Sequence, residues 1–221
     1  MTIDPQLAAE LVDACAAAIV LVGVGLAWTR SIGRSIWLVA IQSALTGFAA
    51  VSVGFATGAG HLVLGGVLAI GVKGVVVPLV LGSILRRSAV RRERHPILGS
   101  RGSMVAAVAI VFAAGAAADG AFVDASIAAI RVVPAAIAEV LTGLLIVMTR
   151  RKALSLVVGL LVFENGIALT AFSLTYGMPL VVELGVLFDL LIAVVVAWVY
   201  ARRMLDVLGT TSTDRLRSLR G

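Results

Sequence analysis

Cysteine is almost missing from this chain of 221 residues: Cys15 stands alone. A lone thiol excludes an internal disulfide and any Cys-rich site for zinc, iron–sulfur or nickel. Histidine is scarce as well, and His61 and His95 are far apart in sequence. There is no H-E-x-x-H pair, no Gly-rich phosphate loop and no nucleophile elbow, so nothing in the sequence would hold a cofactor or make and break bonds. No cofactor or metal is therefore assigned, and the chain is not expected to be an enzyme by itself. Charge is the third shortage, at 14% of residues, with aromatics at 5%. So little charge cannot clothe a soluble domain of this length.

What fills the space is apolar. Hydrophobic residues make up 61% of the chain and its mean hydropathy is +1.11. A hydrocarbon core about 30 Å thick takes roughly 20 apolar residues in a helix, the one conformation in which a single segment pairs all its own backbone groups. Seven segments fit, at approximately 7–29, 35–57, 62–85, 103–119, 125–149, 153–175 and 180–201. The expected fold class is all-α, a polytopic transmembrane helical bundle. The N-terminus, MTIDPQ, is acidic and runs into a full-length span, so no cleaved signal peptide is expected.

Sixteen of the eighteen Lys and Arg residues fall in four short patches. These are Arg30 with Arg34; Arg86, Arg87, Arg91, Arg92, Arg94 and Arg101; Arg150, Arg151 and Lys152; and Arg202, Arg203, Arg215, Arg217 and Arg220. They follow the first, third, fifth and seventh segments, which places the N-terminus outside and the C-terminus in the cytoplasm. The pI near 10.7 reflects these span ends, where arginines meet anionic lipid head groups or partner subunits. Nucleic acid is not an expected partner.

Four charged residues lie in mid-membrane, where each costs at least about 2.5 kcal/mol on insertion scales. Glu139 is 11 residues before Arg150, Glu164 is 12 after Lys152, Asp189 is 13 before Arg202, and Lys73 is 13 before Arg86. At 1.5 Å per residue all four stand roughly 16–20 Å from the basic boundary, close to mid-membrane. Groups at a common depth suggest a lateral row that passes protons or charge to neighbours, rather than a pore through one subunit. Burial disfavours the charged form and an opposite charge nearby restores it, so paired groups of this kind can exchange protons. Glu183, six residues before Asp189 and about 120° away on a helix, is left out of the row. Two plainer readings stay open for Lys73: snorkelling towards the interface, or pairing with a carboxylate to fix helix packing.

Gly54-x-x-x-Gly58 and Gly71-x-x-Gly74 are spaced for close helix approach. Pro78, five residues after Lys73, removes a backbone donor and is expected to kink the third span, freeing a carbonyl near the Lys.

The stretch LTGLLIVMTRRKALSLVVGLLVFENGIAL, Leu141 to Leu169, resembles the first hairpin of the K subunit of respiratory complex I and its relatives in multisubunit Na+/H+ antiporters. A basic pair joins two helices, and Gly-Leu precedes a membrane Glu. The closing LRSLRG is similar to the end of that subunit. VKGVVVPLVL at Val72–Leu81 and FENG at Phe163–Gly166 resemble component E of hydrogenase-4 and the related membrane subunits of formate hydrogenlyase-type complexes. The chain accordingly divides into an N-terminal three-span region, 1–101, a linking fourth span, 102–124, and a C-terminal three-span region resembling the K subunit, 125–221. A faint internal echo, AWTRSIGRSIWL against VMTRRKALSL, hints at duplication.

The resemblance implies that Glu164 and Asp189 belong to a hydrophilic axis coupling proton movement to redox chemistry. Glu164 lies three residues, about one helical turn, beyond the family's Gly-Leu-Glu position, which Leu161 occupies here. It also implies a non-catalytic subunit in the bacterial plasma membrane. Its partners would be antiporter-like and other membrane subunits, with a hydrogenase-like cytoplasmic arm reached through them. The second reading is a subunit of a multisubunit cation/proton antiporter without redox partners; the third is an autonomous small transporter or a scaffold.

Overall fold

The structure, a computed structural model, describes residues 4–87, 92, 97–121, 127–175 and 198. Helix α1, Pro5–Trp28, starts where Asp4 accepts from the Gln6 amide at 3.0 Å and Pro5 supplies a preset φ at the first turn. Helix α2 runs Ile32–Thr57 and ends at Gly58, whose φ of 71° is a left-handed conformation that a side chain would resist. Helix α3, Gly60–Leu68, passes into a π-helical segment, Ala69–Val76, and then into α4, Val77–Arg87. Helices α5, Ser100–Ala121, α6, Ile127–Thr149, and α7, Ala153–Thr175, complete the described elements.

Six of these helical stretches are long and apolar enough to cross a membrane, α3 through α4 counting as one. The expected segments coincide with them to within a few residues, the fourth being longer than expected at both ends. The segment expected at 180–201 lies outside the described residues, as do Asp189 and Glu183.

Helices α1, α2, α7 and α6 form a closed ring of contacts, α1 on α2, α2 on α7, α7 on α6 and α6 on α1. The α3–α4 rod lies outside against α2, and α5 lies outside against α6 and α1. Small residues set the closest approaches. A Cβ on Gly47 would stand 2.6 Å from the Gly66 carbonyl, and one on Gly166 would stand 2.6 Å from the Val140 amide nitrogen. The Gly71-x-x-Gly74 pair does not serve this purpose: nothing lies within 4 Å of a Cβ on Gly71.

The interior is two apolar clusters with a polar layer between them. One contains Leu26 of α1, Val39 of α2, Val77 of α4, Ile146 of α6 and Val162 of α7. The other contains Ile19, Ala49, Ala136 and Leu169 of the same four ring helices. On each ring helix the chain passes from one cluster to the other within two to three turns, and the buried Gln42, Ser43, Glu139 and Asn165 fall in that gap.

The basic turns meet at one end. Arg150, buried, donates to the carbonyls of Ala27 at 2.7 Å and Thr29 at 3.0 Å, closing the α6–α7 turn onto the α1–α2 turn. Arg30 donates to Ser100 Oγ at 2.6 Å, and the Ile97 amide donates to the Thr149 carbonyl at 3.0 Å. Described members of three of the four basic patches, Arg30, Arg92 and Arg150 among them, therefore gather at one end of the bundle.

Candidate functional site

The polar layer holds two arrangements, and α7 contributes to both. In the first, Lys73 Nζ of the π segment lies 2.9 Å from Glu164 Oε1 of α7. Lys73 is 4% exposed and the Glu164 side chain 13% exposed, so the pair is largely withdrawn from surrounding solvent or lipid. Neither snorkelling nor isolation describes Lys73: it points inward to a partner.

Local sequence explains why Lys73 can do so. Pro78 has no N–H to give, so a regular ladder would leave a carbonyl of the preceding turn without its donor. The chain widens instead, with the Val77 amide bonding the Val72 carbonyl in the five-residue register of a π turn. The added residue turns the side chains that follow, and the single charge of the segment is delivered against α7. The expected kink takes the form of a change of helical register.

In the second arrangement Glu139 of α6 is 1% exposed and accepts from Gln42 Nε2 of α2 at 2.7 Å. The same Gln42 nitrogen donates to the Ile19 carbonyl of α1 at 3.2 Å, and Gln42 Oε1 accepts from Asn165 Nδ2 of α7 at 3.3 Å. Asn165 Nδ2 also donates to Ser43 Oγ at 3.0 Å. Gly23 of α1 makes the room: a Cβ there would collide with the Glu139 carboxyl. Four helices thus converge on one carboxyl group, which is what a buried acid requires if its polar atoms are not to be stranded.

Glu164 and Asn165 are adjacent on α7, and neighbouring residues on a helix point about 100° apart. One faces Lys73 and the other faces Gln42, so the two arrangements meet at a single peptide unit. Of the four residues expected in the row, Lys73 and Glu164 are in contact, Glu139 stands in the same layer through Gln42 and Asn165, and Asp189 lies outside the described residues. Gln42, Ser43, Asn165 and Gly23 were not expected. The signal that carried them was the polar run Gln42, Ser43 and Thr46 within an apolar span, and an Asn beside a membrane Glu.

Over 211 residues the chain is 33% identical to Uncharacterized protein Rv0085 of Mycobacterium tuberculosis, a match covering 95% of this chain and 96% of that one. Over 86 residues it is also 33% identical to Hydrogenase-4 component E of Escherichia coli K12 and of Shigella flexneri, covering 39% of this chain and 40% of theirs. No family model and no solved structure matches it. The chain belongs to the family of the mycobacterial protein, and part of it is similar to Hydrogenase-4 component E.

Proposed function

We propose that this chain is a non-catalytic integral subunit of a hydrogenase-4-like, complex I-related assembly in the bacterial plasma membrane. Its mid-membrane charges, Lys73, Glu164, Glu139 and Asp189, form part of a lateral relay that moves protons or cations between neighbouring antiporter-like subunits. The observation that carries this reading is the Lys73–Glu164 ion pair at 2.9 Å inside membrane-length helices. Replacing a buried ion pair by apolar residues of similar volume is often neutral or stabilising, so packing alone gives weak reason to keep one. A charge pair that opens and closes as a proton arrives is a reason of a different kind. The partial similarity to hydrogenase-4 component E supports the setting, with bond-making chemistry assigned to partner subunits.

The test is Glu164→Gln in the assembled complex, with assembly verified by co-purification. Loss of proton translocation with assembly intact is the expected result, and normal translocation by the intact variant complex refutes the relay. Co-isolation of a hydrogenase-like large subunit fits the redox setting. Isolation with antiporter-like subunits alone transfers the same relay to a cation/proton antiporter.

A further inference from the structure

The hydrogen bonds around Glu139 have a direction, and one backbone atom fixes it. The Ile19 carbonyl can only accept, so the Gln42 amide must present its nitrogen to it, and the same nitrogen faces Glu139. Gln42 Oε1 is thereby turned towards α7, where it meets the Asn165 nitrogen at 3.3 Å. Asn165, Gln42 and Glu139 therefore form a chain in which each amide donates towards the carboxyl group. Gln42 and Asn165 are each 0% exposed, so no solvent competes for these groups.

We propose that Gln42 and Asn165 are positioning residues that join the two carboxylate sites into one coupled unit. Asn165 takes its place from the peptide it shares with Glu164, and a change at the Lys73–Glu164 pair reaches Glu139 through the two amides. Amides hold their protons, so no proton crosses Gln42. What passes is polarisation and a small displacement, since successive hydrogen bonds strengthen one another in a low-dielectric interior. Glu139 thereby responds to the state of the Lys73–Glu164 pair, and the two relay sites act together rather than separately.

Among the described side chains, other charges are poorly placed to substitute for this route. On the helices that pack against α6, Glu10 and Asp13 of α1 lie about 20 Å and 15 Å along the axis from Gly23, which touches the Glu139 carboxyl. Arg34 of α2 lies about 12 Å along the axis from Gln42, and Arg101 stands at the start of α5 in the basic end. The remaining charge on these helices among the described side chains is Glu164 with its partner Lys73.

The inference deepens the proposed relay but is read without any transport. The full chain in lipid nanodiscs gives an infrared carboxyl band for Glu139, identified by its disappearance in Glu139→Gln. Glu164→Gln, and independently Lys73→Met, should each shift that band. In an Asn165→Leu background the shift should fall by at least about half, the signature of a coupling energy rather than of separate effects. Gln42→Met breaks the chain one bond later and serves if Asn165→Leu does not fold. A shift that persists undiminished, or no shift in the unaltered background, overturns the proposal. Either result leaves the translocation test of Glu164→Gln standing, and a failed translocation test with intact spectral coupling leaves this inference standing.

Discussion

The Lys73–Glu164 pair and the Glu139–Gln42 cluster solve the same problem, a carboxyl group inside a membrane bundle, in opposite ways. Glu164 is met by a full charge on a segment of altered helical register, and its second oxygen, Oε2, is buried with no hydrogen-bond partner among the described residues. Glu139 is met by the neutral amide of Gln42 on a regular helix, itself bonded to Asn165, and is backed by a glycine. An ion pair holds strongly while both partners are charged and loses its basis when either is neutralised. An amide donates to a carboxyl oxygen in either protonation state of the acid. The first arrangement is therefore built to change and the second to persist.

Breaking the pair from one side gives the largest expected effect. Lys73→Met leaves Glu164 facing an apolar side chain, and losing one partner of a buried pair costs about 3–5 kcal/mol. The cost is read from the unfolding midpoint of the purified protein in detergent. The double variant Lys73→Met with Glu164→Leu should recover most of it, because no charge remains to be stranded. A double variant as unstable as the single one would show that the π segment is held by something other than the pair.

Gln42→Leu attacks the other arrangement and should cost less, about 2–3 kcal/mol, since it removes a neutral donor and leaves a Glu139 carboxyl oxygen and an Asn165 donor without that partner. Adding Glu139→Leu should return part of that stability, whereas adding Glu164→Gln should not. Equal rescue by both second changes would mean that the two arrangements are not distinct.

Much of this was legible in the sequence, and the reason is energetic. Charges at mid-membrane are costly enough to stand out against a uniformly apolar background, so counting from the arginine patches located Lys73, Glu139 and Glu164 in one layer. The six described spans were legible from length and hydropathy, because the bilayer fixes both. Gln42, Ser43 and Asn165 were less legible, since a neutral amide or hydroxyl costs less in a span than a charge, and the polar run that contains Gln42 and Ser43 does not name its partners. The π segment was not legible either: Pro78 announces a disturbance but not whether the chain bends or changes register. Gly23 looked like any other small residue, and only the Glu139 carboxyl lying against it shows what the missing methyl group allows.

That contact gives the next prediction. Gly23→Ala should cost about 1–3 kcal/mol by overpacking, with the Glu139 carboxyl forced from its place against α1. Shortening the acid in Gly23→Ala with Glu139→Asp should recover some of the loss, measured by the same unfolding midpoint. No recovery would mean that the methyl clashes with helix α6 itself rather than with the carboxyl group.

The smallest effect is expected at the far end of the amide chain. Ser43 Oγ accepts from Asn165 Nδ2 at 3.0 Å but touches neither carboxyl group, and it lies next to Gln42 on α2. Ser43→Ala removes that bond and the one Ser43 Oγ donates to Asn165 Oδ1 at 3.3 Å, two neutral contacts with a single amide worth about 1–2 kcal/mol together. Asn165 Nδ2 keeps its bond to Gln42 Oε1, so the direction of donation towards Glu139 survives. Stability should fall slightly while the Glu139 infrared band stays where it is. A band that moves in Ser43→Ala as far as in Gln42→Met would place the anchor of the chain on α2 at Ser43 and remove the Ile19 carbonyl from its role as the fixed point.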